Sequence, residues 1–198
     1  MVWYPDRISY RQAKDMHPSA SKDLVYTTPS EIILPDGLHR FFVEGRKNTW
    51  LSDDTSNQVP GRIGFNRYEY RRPGAEVVYE DEYFDGDEVP GVFFGTELVK
   101  KEGRGTHIVA SYNYTGELTE EGMEVGEETV YGMLKYFLRD HIDKARFGNT
   151  FEVGHRERGK WSYITIGARG RSVWGDKEYI KYKGDVVYAL TGSGAIFL

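Results

Sequence analysis

The sequence predicts an α+β fold that is internally duplicated, each half a helix followed by antiparallel strands, with the halves related by a pseudo-twofold axis. Three observations predict it. Residues 93–103 align without gaps on residues 174–184, so that an aromatic, a small or turn-prone residue, a Glu, a β-branched residue and a closing Gly recur in register. A helical pattern precedes each copy. Extended segments lie between helix and hairpin in both.

Residues 1–35, punctuated by Pro5, Pro18, Pro29 and Pro35, read as an N-terminal extension. That leaves 36–198 as one duplicated domain with halves 36–118 and 119–198. After Asp36-Gly37, Leu38, Phe41, Phe42 and Trp50 fall on one side of a short helix. The stretch 52–66, rich in Asp, Ser, Asn, Pro and Gly, reads as an insertion confined to the first half. Residues 67–72 and 76–84 are extended, with Asp85-Gly86-Asp87-Glu88 as a turn. The first hairpin then joins 93–103 to 108–112 and runs on to Gly116.

In the second half, Gly126-Glu127-Glu128-Thr129 places acids in the first turn of a helix, where they complement its dipole. Met133, Leu134, Phe137, Leu138 and Ile142 keep close to the 3.6 period. Residues 150–155 and 161–166 are extended. The second hairpin joins 174–184 to 186–190 and reaches Gly194, with glycine supplying the positive φ of the turns. Gly192-Ser193-Gly194 reads as a flexible terminus.

Composition excludes more chemistry than it suggests. The 198 residues include no Cys, which removes disulfides, a thiolate nucleophile and a Cys-type zinc site. The net charge of −5 argues against a general nucleic-acid binder, so nucleic acid is not the expected partner. The first residues lack a basic segment followed by an apolar one, and no run approaches the roughly 18 apolar residues of a spanning helix. A cytoplasmic protein without a membrane partner is the expectation. The five His are scattered, and no HExxH, GxSxG, P-loop or GxGxxG occurs, so no metal and no cofactor are expected. Acids concentrate in 76–128 and bases in 155–184, an asymmetry that fits either head-to-tail association of two copies, a homodimer, or a basic landing site for an anionic ligand.

Alternation along strands points to one place for chemistry. Residues two apart share a face, so Phe93, Gly95, Glu97 and Val99 point one way, as do Trp174, Asp176, Glu178 and Ile180. Glu97 and Glu178 are therefore acids on half-apolar faces, placed to converge on a cleft between the hairpins. Paired carboxylates grip a basic ligand or do general acid/base work. The plainer alternative is that each ties down its hairpin through a backbone N–H or an arginine, with Arg169 and Arg171 the expected partners of Glu178. The 15 Tyr, 10 Phe and 4 Trp exceed what a core of this size requires. Tyr83, Phe93, Tyr112, Trp161 and Trp174 are the rings expected to line the cleft. His107 is the histidine expected near it, as a base, and Arg169 a further ligand contact.

Residues 41–50, the run Tyr79-Glu80-Asp81-Glu82-Tyr83 with Phe93-x-Gly95-x-Glu97, and the hairpin Trp174-x-x-x-Glu178 together resemble a prokaryotic domain family of unknown function. The resemblance spans roughly 38–198, and some members carry a helix-turn-helix region ahead of the domain. It implies effector sensing and weight on the glutamate hairpins, and it carries over no catalytic residues. No helix-turn-helix is evident in residues 1–35. Gly45 stands where that pattern has Ala, which weakens a helix, and Asp176 stands where it has Gly.

Three functions follow as expectations. The first is a small-molecule-binding or sensory domain with its ligand between the two hairpins. The second is a cofactor-independent hydrolase, isomerase or lyase using a cleft glutamate. The third is a structural or protein-interaction module.

Overall fold

Strands that alternate apolar and polar side chains bury one face and leave the other to water, and the described residues form nine strands. The computed structural model describes residues 36–197 apart from 53, 86–89, 104 and 156–158. Helix α1 (Asp36–Lys47) is followed by β1 (Gln58–Val59), β2 (Phe65–Arg71), β3 (Val77–Asp85), β4 (Val92–Lys101) and β5 (His107–Leu118). Two helices come next, α2 (Glu120–Val125) and α3 (Glu127–His141), then β6 (Phe151–Gly154), β7 (Trp161–Arg169), β8 (Val173–Tyr182) and β9 (Asp185–Ile196). The strands lie in the order β1-β2-β3-β4-β5-β9-β8-β7-β6 and every neighbouring pair is antiparallel.

This corrects the duplicated, pseudo-twofold α+β arrangement expected from the sequence. The described residues form mostly a single nine-stranded antiparallel sheet, 49% strand and 21% helix among them, with three short helices. Strand β5 pairs with β9 from Ala110↔Ile196 to Leu118↔Tyr188, so the hairpins are parts of one ladder. The match between 93–103 and 174–184 has a local cause. Strands β4 and β8 both meet the same half-apolar, half-charged layer, and that layer demands the same alternation of ring, small residue and acid. Backbone pairing at the β5–β9 seam needs no relation between sequences.

Other expectations meet different outcomes. Residues 1–35 and the turn 86–89 lie outside the described residues. The proposed insertion at 52–66 contains β1, which adds an edge strand to β2. Gly116 and Gly194, expected at turns, lie inside β5 and β9, while Lys183 and Gly184, both at positive φ, make the β8–β9 turn. Gly192-Ser193-Gly194 is strand rather than a loose end. A Cβ on Gly192 would overlap the Tyr112 hydroxyl, and one on Gly194 the Trp174 ring, so β9 is bare where rings from β5 and β8 cross it.

All three helices cover one face. Val130, Met133, Leu134, Phe137 and Leu138 form the buried stripe of α3 at helical spacing. They join Phe41 and Phe42 of α1 and the inward residues Tyr79, Val99, Tyr112, Tyr163, Ile180 and Tyr188 in the core. The Thr119 side chain accepts from the Gly122 N–H at 3.1 Å, capping α2. Acids in the first turn of α3 and bases in its last complement the dipole. The opposite face of the sheet carries ion pairs such as Glu80 with Arg67 and Lys100, which contribute little stability at a wet surface. Among the described residues, no helix is long and apolar enough to cross a membrane.

Candidate functional site

Inward positions of β4 and β8 put two glutamates under the helices. Glu97 and Glu178 are both 0% exposed, and burying a charge so completely requires a partner. Arg46, in the last turn of α1, donates Nε to Glu97 Oε2 at 2.7 Å. Arg146, in the loop after α3, donates Nε to Glu178 Oε1 at 3.0 Å and stands 3.7 Å from Glu97 Oε1. One guanidinium thus links both acids. Arginine suits the role because its flat charge also lies on rings: Arg46 is 4.6 Å from the Phe147 centroid, and Arg146 is 4.8 Å from that of Trp50. Burial, the largest influence, would lower the pKa of Arg46, and the charge of Glu97 together with Tyr79 and Tyr112 outweighs it, holding it above its ordinary value.

Strand β8 positions Arg146 with three successive inward residues. Trp174 donates Nε1 to the Arg146 carbonyl at 3.0 Å, Asp176 Oδ1 accepts from the Gly148 N–H at 2.7 Å, and Glu178 takes the Arg146 side chain. Arg146 itself sits at φ 61, a left-handed conformation uncommon outside glycine. The three anchors hold it there. Asp176 is thus one of the three groups that fix the loop. Its carboxyl is raised to about 7 by burial and then by the charge of Glu178.

Beside this network lies a cleft of about 300 Å³. Its walls include Trp50, Tyr83, Phe93, Tyr114 and Tyr131, with Leu134 and Lys135 from α3, and Asp81 and Arg146 also line it. Asp81 on β3 lies directly across from Glu97 on β4. The Tyr114 hydroxyl donates to its Oδ1 at 2.9 Å, while Oδ2 is buried and has no partner among the described residues. Burial, and next the charge of Glu97, raise the Asp81 carboxyl to about 8. At neutral pH Asp81 is therefore a neutral acid, able to donate a hydrogen bond.

The structure brings some of the expected site residues together and separates others. Tyr83 and Phe93 line the cleft. Tyr112 and Trp174 stack below it with centroids 6.3 Å apart. Glu97 and Glu178 lie in the ion-pair layer and do not line the cleft. Trp161 packs at a tilt against Tyr182, centroids 4.6 Å apart, and lines a separate groove with Lys183 and Glu124. His107 is exposed at the start of β5. Arg169 is half-buried near Asp176, and its pKa is lowered by burial; Arg171 is exposed. The partner of Glu178 is Arg146, whereas Arg169 and Arg171 were expected.

Sequence reasoning missed Arg46, Arg146 and Asp81. Asp81 did carry a signal: it sits between Tyr79 and Tyr83 at the two-residue spacing that marks Glu97. Compared with family models, curated proteins and solved structures, the chain matches none. No residue role is carried to this site from another protein.

Proposed function

We propose that the protein is a small-molecule-binding domain whose ligand occupies the cleft over Asp81. One observation carries this reading. Asp81 is 1% exposed, lines the cleft, and keeps a carboxyl oxygen with no partner among the described residues. An unsatisfied buried polar atom costs about 1–3 kcal/mol, and a ligand group bonded to it offsets that cost. The surrounding rings supply the apolar walls that small-molecule sites use, with a few polar groups to set orientation. Glu97 and Glu178 then serve as supports that hold Arg46 and Arg146. A glutamate general acid/base has less in its favour, since neither carboxylate lines the cleft.

A thermal-shift screen of the whole chain tests the reading. A ligand at 100 times its dissociation constant stabilises by ~2.7 kcal/mol, and Tyr83→Ala, at the cleft wall, should abolish the shift while keeping the fold. A ligand whose shift survives both Tyr83→Ala and Asp81→Asn binds elsewhere, and the reading falls.

A further inference from the structure

We propose that the cleft takes an aromatic carboxylate of one or two rings, with the ring against Trp50, Tyr83, Phe93 and Tyr114 and the carboxylate turned toward Asp81 and Lys135. This rests on the ligand-binding reading above and specifies its chemistry.

Size comes first. A cleft of about 300 Å³ stands at the lower end of ligand sites, which run from about 300 to 1,000 Å³, and a ligand of one or two rings fits it. Rings dominate the walls, and offset or edge contacts with a planar ligand are favoured there.

Charge decides the polar end. In the buried layer Arg46 and Arg146 are offset one for one by Glu97 and Glu178. Lys135, which has no salt bridge among the described residues, and Asp81 line the cleft with Arg146. Among the described residues, five titratable or charged groups bear on Asp81: Tyr79 on its own strand, Glu97 on β4, Tyr114 on β5, Arg46 on α1 and Arg146 in the loop after α3, while Lys135 on α3 lines the same cleft. Tyr114 already donates to Oδ1, and the acid's proton belongs on the unpartnered Oδ2. The cleft thus offers an O–H donor at Asp81 and, at Lys135, a cation that no salt bridge balances among the described residues, within a chain whose net charge is −5. A single-charged acceptor group answers both. A cationic ligand would meet Lys135 and Arg146 with like charge.

Calorimetric titration of the whole chain near pH 7 with 2-naphthoate, 2-naphthamide and 2-naphthamidine tests this. The carboxylate should bind about tenfold tighter than the amide, the scale of one charge-assisted contact. Lys135→Gln, on the half-buried face of α3, should remove most of that preference by weakening the carboxylate far more than the amide. Raising the pH to about 9 ionises Asp81 and should weaken the carboxylate more than the amide. If the amidine binds tightest, or the preference survives Lys135→Gln, the anion assignment is overturned while the binding reading stands. If none of the three binds at millimolar concentration, both fall.

Discussion

Arg146 donates Nε to Glu178 at 3.0 Å, and neither side chain is more than 3% exposed. This pair closes the loop after α3 onto β8 and, through the same guanidinium, onto Glu97. Truncating one member of a buried pair leaves the other charge uncompensated, which costs roughly 3–5 kcal/mol. Arg146→Met is therefore expected to lower stability by an amount in that range, read from urea denaturation midpoints. Adding Glu178→Gln should recover part of the loss, because the stranded charge is gone. Additive losses in the double variant would show that the two groups do not act as a pair.

Asp81 and Asp176 have carboxyls raised to about 8 and about 7. In the unfolded chain each titrates near about 3.9, so the folded protein binds protons that the unfolded one has released. Each group then contributes stability that is complete below about pH 4 and is lost as pH rises through that window to the folded value. Asparagine has no such proton. The stability of Asp81→Asn relative to the natural chain should improve steadily from about pH 5 to pH 8. Parallel stability–pH curves would mean that Asp81 is ionised in the fold.

Gly45 lies in α1 with its Cα against the Tyr79 ring, and an added Cβ would overlap that ring. Alanine is favoured over glycine in a helix by about 1 kcal/mol, but overpacking a core costs typically about 1–3 kcal/mol. Tyr79 is fully buried and has little room to yield, so the clash wins. Gly45→Ala should lower the melting temperature of the natural chain and raise that of a Tyr79→Ala chain. The same sign in both backgrounds would remove the ring from the explanation.

A similar test applies to β9. Gly194→Ala would drive a methyl into the six-membered ring of Trp174. Trp174→Phe removes those atoms and also the 3.0 Å bond to the Arg146 carbonyl. The alanine should therefore cost less in the Phe background than in the natural one, by about 1 kcal/mol or more. Equal costs in the two backgrounds would show that β9 does not depend on room beneath that ring.

Local pattern determined a good deal of this protein. The helical period of Met133, Leu134, Phe137 and Leu138 marks α3, and two-residue alternation marks β2, β3, β4, β7 and β8. The same alternation puts Glu97, Asp176 and Glu178 on the inner face, because side-chain direction in a strand is a property of the chain next door. The shared alternation of β4 and β8 was nevertheless misleading about architecture, since two strands facing one environment look alike without forming separate units. Tertiary structure alone decided that β5 joins β9, that Arg46 meets Glu97 across 51 positions and that Arg146 meets Glu178 across 32. It also decided that Asp81, not either glutamate, faces the cleft. Ladder hydrogen bonds form between backbones whatever the side chains, and a buried acid requires a cation from wherever the fold can bring one. Neither choice is written in the spacing of neighbouring residues.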